Sequence, residues 1–85
     1  MTIVLLTRNG CSACGSARAD LARICTDLQL TFDEVDVDVA AADGDPDLRA
    51  EFGDRLPVIL LDGDEHSYWE VDEPRLRADL AARDS

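Results

Sequence analysis

The spacing of apolar positions changes from one stretch of the chain to the next, and each spacing predicts an element. Thr2–Thr7 (TIVLLT) is a continuous, β-branched apolar run, as expected of a central strand buried on both faces. Arg8-Asn9-Gly10 breaks it. From about Ser12 to Leu28 the apolar residues recur at helical intervals through Cys14, Ala17, Leu21, Ile24, Cys25 and Leu28. Arg18, Asp20, Arg23 and Asp27 fall mostly on the opposite side, so this is an amphipathic helix. Leu30, Phe32, Val35, Val37 and Val39 then predict an amphipathic strand whose alternation is clean from Val35 onward and slips one register before it, as a bulge would cause.

Ala40–Gly44 reads as a loop. Asp45-Pro46 reads as an N-cap followed by proline at the first helical position, and Gly53 as the stop, with Leu48 and Phe52 on one face between them. Leu56–Leu61 (LPVILL) is a second buried strand entered through proline. Asp62-Gly63 signals a tight turn, and Glu65–Trp69 is expected to pair back as an edge strand. Asp72 caps a last helix with Pro74 in its first turn and Leu76 and Leu80 facing inward; Val71 and Leu76 are spaced for a hydrophobic staple.

The order is β-α-β-α-β-β-α. The opening β-α-β is expected to be parallel and right-handed, and the β-β pair an antiparallel hairpin. The expected fold class is therefore α/β: a four-stranded mixed sheet with helices on both faces. Eighty-five residues make one domain, residues 1–85, and a chain of that size buries only about 60–65% of its unfolded surface.

Charge narrows the choice of partners. The net charge of −11 argues against nucleic acid, whose phosphates would be repelled. Residues 1–30 hold three arginines against two aspartates, whereas residues 31–85 hold five arginines against seventeen acids. Cys11 and Cys14 thus lie in the one part of the chain that is not strongly acidic. Ile3-Val4-Leu5-Leu6 is too short for a signal peptide, and no run approaches the roughly 20 apolar residues of a membrane span. The expected location is the cytoplasm, with no membrane association. Three cysteines there favour redox or metal chemistry over a structural disulfide framework.

TRNGCSACG places a C-x-x-C between a strand and the first turn of a helix. A helix N-terminus offers unpaired N–H groups and a partial positive charge, which stabilise a thiolate. Spacing i, i+3 puts the two sulfurs on one helix face, close enough for a disulfide. Cys11, at the tip, is the expected nucleophile, and Cys14, on the apolar stripe, the shielded resolving thiol. Cys25, three turns after Cys14, is expected in the core. His66, the only histidine, is expected at the surface, and one of Tyr68 and Trp69 is expected to pack while the other is exposed.

Strand–C-x-x-C–helix, then LPVIL, then a hairpin and a helix together resemble the thioredoxin fold. The whole pattern, including GDRLPVILLDG and YWEVDEPRL, is similar to small bacterial glutaredoxin-like proteins, actinobacterial ones especially. The absence of lysine points the same way, toward a GC-rich genome. The resemblance covers nearly the whole chain and implies a monomeric thiol–disulfide oxidoreductase that reduces protein or mixed disulfides. It implies Cys11 as nucleophile and Cys14 as resolving thiol. It implies Pro57 as a cis-proline facing the site, with the backbone around Leu56 and Val58 pairing with substrate. It also implies substrate contacts for Arg8, near the thiolate, and for Asp72. No bound cofactor or metal is implied. The electron donor would be a low-molecular-weight thiol (glutathione or mycothiol) or a thioredoxin-reductase-type protein.

The chain also departs from that family. Ser12-Ala13 stands between the cysteines where glutaredoxins usually carry Pro-Tyr and thioredoxins Gly-Pro, which leaves a reduction potential anywhere from about −270 to −200 mV. Trp69-Glu70-Val71-Asp72-Glu73 replaces the Gly-Gly-acid turn that helps glutaredoxins hold glutathione. Two other classes stay open: a metal or iron–sulfur cluster bound through the C-x-x-C, and a non-catalytic interaction module. Copper chaperones share the strand–C-x-x-C–helix start but end on a strand, unlike this chain. A zinc site wants four ligands, and only Cys11, Cys14 and His66 are on offer.

Overall fold

The computed structural model describes residues 2–84. Its elements run β1 (Ile3–Thr7), α1 (Ser12–Leu28), β2 (Asp33–Asp36), α2 (Val37–Ala42), α3 (Asp47–Phe52), β3 (Val58–Leu61), β4 (Asp64–Tyr68) and α4 (Glu73–Asp84). The strands form one sheet in the order β2-β1-β3-β4. β1 and β2 are parallel; β1–β3 and β3–β4 are antiparallel.

Alternation along the two central strands builds two cores. Ile3 and Leu5 of β1 with Ile59 and Leu61 of β3 meet α1 (Ala17, Leu21, Ile24, Cys25) and α4 (Leu76, Leu80). The opposite face sets Leu6, Val58 and Leu60 against Val37 of α2 and Phe52 of α3. Helices therefore cover both faces, as the apolar run in each central strand requires. Cys25 lies in the first core as expected. Val71 packs against the same cluster as Leu76, in keeping with the expected staple.

The chain reverses where local chemistry allows it. Asp62 and Gly63 both take positive φ, 52° and 87°, the conformation of a type I′ hairpin turn. After α1, Gln29 adopts the left-handed region at φ 57°. There the Leu30 N–H donates to the Cys25 carbonyl at 2.8 Å and the Gln29 N–H to the Thr26 carbonyl at 3.2 Å. That is the double closure of a Schellman motif, made without glycine.

The second strand differs from expectation. β2 stops at Asp36, and Val37–Ala42, expected as strand and loop, is helix α2. The Asp36 carboxylate accepts from the N–H groups of Asp38 and Val39 at 2.8 and 3.1 Å, so it caps a helix that three alanines then continue. Leu30 and Phe32 pack on the first core from outside the strand, and no bulge is needed there. The sheet's irregularity lies instead between β3 and β4, at Ile59/Leu60. Helix α3 begins one residue later than expected: Pro46 is its N-cap and no side chain caps it. At its end Gly53 is right-handed, and its value is spatial, because a Cβ there would sit 2.5 Å from the Arg49 carbonyl oxygen.

Candidate functional site

The site grows from the end of β1. Thr7, the last residue of the strand, is buried. Arg8, Asn9 and Gly10 then turn the chain, with Gly10 at φ 81°, where an L side chain would be strained. The Cys11 N–H closes this turn onto the Arg8 carbonyl at 3.3 Å. Cys11 is itself the N-cap of α1, in extended conformation, and its sulfur accepts the Cys14 N–H at 3.1 Å. A sulfur thus takes the place that a Ser, Thr, Asp or Asn oxygen usually holds at a helix start. Cys11 and Cys14 are joined as a disulfide with Cα atoms 5.2 Å apart. Cys14 is 1% exposed, whereas Cys11 is half-buried at the surface.

One side of Cys11 opens into a polar cleft of about 520 Å³ whose walls include Arg8, Ser12, Arg18 and Glu34. Arg18, one turn beyond Cys14, grips Glu34 of β2 through two hydrogen bonds of 2.5 and 2.6 Å. The second Glu34 oxygen also accepts from the Thr7 hydroxyl at 3.3 Å. The Arg18 guanidinium holds the Glu34 carboxyl below the usual carboxylate range. Across the cleft, Arg8 donates to Asp38 of α2 at 2.9 and 3.3 Å and to the Gly53 carbonyl at 3.4 Å. That contact likewise lowers the Asp38 pKa. Both arginines facing the cleft are therefore held by carboxylates.

The remaining expected site residues fall into two groups. Val58 pairs with Leu6, so Leu56 and Pro57 run beside the chain as it leaves β1 for the cysteine loop. The Leu56–Pro57 peptide is cis, and the Pro57 carbonyl accepts the Trp69 N–H at 2.7 Å. Asp72 is a helix cap: its side chain accepts the Arg75 N–H at 3.3 Å and its carbonyl the Leu76 N–H at 2.8 Å. The segment before it, Trp69–Val71, packs toward α1 and with Ala13 and Asp20 encloses a smaller groove of about 230 Å³.

Two expectations at β4 are corrected. His66 is not at the surface: its side chain is 5% exposed, with Nε2 2.7 Å from an Asp79 oxygen, because α4 crosses this strand and covers it. Tyr68 and Trp69 are both exposed, at 47% and 62%. Trp69 lies just past the strand at φ 68°, which breaks the alternation that would have buried one of them. The two rings meet edge to face, centroids 5.0 Å apart. Sequence reading did not single out Arg18, Glu34 or Asp38 for the site. The signal available was Asp36 ahead of an alanine run, which marks a helix start and so brings Asp38 round to Arg8.

Among the described residues, no three His, Cys, Asp or Glu side chains converge as a metal site. Nor, among the described residues, is any helix long and apolar enough to cross a membrane.

Comparison with known proteins adds independent findings. The family model described as "Glutaredoxin-like domain (DUF836)" matches residues 2–81. "Uncharacterized protein Rv0508" of Mycobacterium tuberculosis is 61% identical over 79 residues, spanning 93% of this chain and 81% of that protein. A Mycobacterium bovis protein matches to the same extent, in keeping with the expected actinobacterial resemblance. Among solved structures, target protein XcR50 from X. campestris superposes with a TM-score of 0.69 at 32% identity, covering 95% of this chain and 97% of its own. Thioredoxin 1 of Thermosipho africanus gives a TM-score of 0.67 at 13% identity over 98% and 93% of the two chains, a likeness of fold.

Proposed function

The chain belongs to the glutaredoxin-like domain family of the thioredoxin superfamily, and from that premise we propose that it is a dithiol thiol–disulfide oxidoreductase reducing protein or mixed disulfides. The family and the paired Cys11 and Cys14 support a redox role. The observation that carries the finer reading is the Cys14 N–H directed onto the Cys11 sulfur at the helix tip. A thiolate at Cys11 receives that hydrogen bond and the partial positive charge of α1, while Cys14 waits beneath it.

In the proposed reaction the Cys11 thiolate attacks one sulfur of a substrate disulfide, forming a Cys11–substrate disulfide and expelling the other sulfur as a thiolate. Cys14 gives up its proton and attacks the Cys11 sulfur, which breaks the mixed disulfide and frees the second substrate thiolate. The two electrons have passed to the substrate, and the Cys11–Cys14 disulfide remains. A low-molecular-weight thiol such as glutathione or mycothiol, or a thioredoxin-reductase-type protein, returns it to the dithiol. Leu56, Pro57 and Val58 offer backbone to the substrate beside the cysteine loop. Arg8 acts by holding the loop against α2 and α3, and Asp72 by starting α4.

The test uses the reduced protein, a disulfide-linked peptide and mass spectrometry. Cys14→Ser is expected to accumulate the peptide on Cys11, and Cys11→Ser to release no peptide thiol. Full disulfide reduction by Cys11→Ser would overturn the reading.

A further inference from the structure

The small groove on the other flank of α1 was built for none of the steps above, yet it adjoins them. Ala13, between the two cysteines, forms one end, and Ser16 and Asp20 continue the helix wall. Trp69 and Glu70 form the opposite wall. On an α-helix these positions lie roughly opposite Arg18, so the groove is separate from the polar cleft. Its 230 Å³ is below the roughly 300–1,000 Å³ of pockets that enclose a whole small ligand, and suits a single side chain.

Its chemistry is one-sided. Two carboxylates, Asp20 and Glu70, are among its lining residues and no arginine is. Arg23, which reaches Asp20 at 3.7 Å, is bound more closely to Glu73 at 2.7 Å. The Trp69 ring is exposed: its backbone is anchored through the main-chain N–H to the Pro57 carbonyl, and Tyr68 abuts the ring edge to face. An aromatic face beside carboxylates attracts a cation through both the ring quadrupole and charge.

We propose that this groove receives an arginine or lysine side chain of a polypeptide whose disulfide is presented to Cys11, and that it disfavours glutathione. The inference rests on the thiol–disulfide reading above and names its substrate class. Glutathione carries two carboxylates and one ammonium, so Asp20 and Glu70 repel its net charge. The protein's overall charge of −11 adds to the same selection.

Two peptides joined through a disulfide to a neutral thiol, alike except for Arg or Glu two residues from the cysteine, separate the possibilities. Their single-turnover rate constants with the reduced protein are compared with that of the glutathione mixed disulfide of the same neutral thiol. The Arg peptide is expected to react about threefold to tenfold faster than either. The ratio should shrink toward one in Asp20→Asn/Glu70→Gln and in Trp69→Ala, and with added salt. A folding defect would slow all substrates in common and leave the ratio alone. In a second measurement the Arg peptide, with serine for its cysteine, titrates the oxidised protein while Trp69 fluorescence is read. Trp69 is the only tryptophan. Equal rates for the Arg and Glu peptides, or a glutathione disulfide that reacts as fast as the Arg peptide, would overturn the proposal. If no disulfide reacts at all, including uncharged bis(2-hydroxyethyl) disulfide, the oxidoreductase reading fails. The titration then decides the groove alone: saturable quenching by the Arg peptide and not the Glu peptide upholds it as a cation site, and no quenching removes it.

Discussion

The Cys11 sulfur lies 3.1 Å from the Cys14 backbone nitrogen and caps the helix on which Cys14 sits. The redox pair and the start of α1 are thus one object: anything that changes the sulfur changes the cap. Cys11→Ser supplies an oxygen that caps at least as well. This substitution is expected to abolish disulfide reduction without lowering thermal stability, whereas Cys11→Ala loses both. Comparing the melting curves of the two variants, each against wild type without its disulfide, checks the cap separately from the chemistry.

The three thiols of the reduced protein should separate by alkylation. Cys11 is partly exposed, Cys14 is buried one turn in, and Cys25 lies in the core, where burial pushes its thiol pKa up. Site-resolved mass spectrometry at neutral pH is expected to find iodoacetamide on Cys11 first, on Cys14 far more slowly, and on Cys25 only with unfolding. Cys25→Ala should cost about 1 kcal/mol and leave disulfide reduction intact.

Asp36 is expected to matter more than its place at the end of an edge strand suggests. Its carboxylate satisfies two N–H groups of α2, the helix that carries Asp38 to Arg8. Asp36→Ala should destabilise the protein by about 1 kcal/mol in urea unfolding, while Asp36→Asn recovers most of it. Equal stability of the Ala and Asn variants would show that the cap contributes nothing.

Acid should unfold the protein through its ion pairs. Arg23, with Arg77, lowers the Glu73 pKa to about 2; hydrogen bonds from Arg18, Arg8 and Arg55 lower Glu34, Asp38 and Glu65, and Asp62 is lowered first by the Thr2 N–H and then by Arg83. A carboxyl whose folded pKa is below its unfolded value, about 3.9 for Asp and about 4.3 for Glu, contributes stability that is complete above that value. The contribution is lost as pH falls through the folded pKa. Melting temperature is therefore expected to be level from about pH 7 to 5 and to fall between about pH 4 and 2. Added salt should flatten the fall, since these groups are exposed or only half-buried.

Trp69 holds a left-handed φ of 68°, which costs an L residue about 1–2 kcal/mol. Trp69→Gly is therefore expected to be more stable than Trp69→Ala, by about 1 kcal/mol, reversing the usual order of these two residues. Chemical denaturation of the pair reads that difference.

Much of this molecule is legible from the chain alone, because much of it is local. The bounds of α1 follow from its apolar stripe and its cysteine start, and the hairpin turn follows from Asp62-Gly63. The cysteine loop was readable because strand, break and helix each carry their own signal. What failed depended mostly on partners distant in sequence; only the start of α2 left a local mark, Asp36 ahead of three alanines. Val35, Val37 and Val39 alternate like a strand, but Val37 is buried against the second core while Val39 is 57% exposed on a helix. An exposed valine looks the same in sequence as a buried one. His66 is covered only because α4 returns across β4, and Arg18 meets Glu34 only because β2 lies parallel beside β1. The residues that shape the cleft walls are joined by topology, which no short window of sequence contains.

The sheet's two margins have a consequence for the protein in a crowded solution. β2 and β4 are the outer strands, and they begin Asp33-Glu34 and Asp64-Glu65. A second molecule adding its own β2 in either direction, or its own β4 in parallel, would bring Asp33, Asp36 or Asp64 beside another carboxylate at the roughly 4.8 Å spacing of neighbouring strands. In those arrangements the edges repel their own kind, so the same aspartates that make this small, thinly cored chain acidic also oppose stacking of its sheet on another copy.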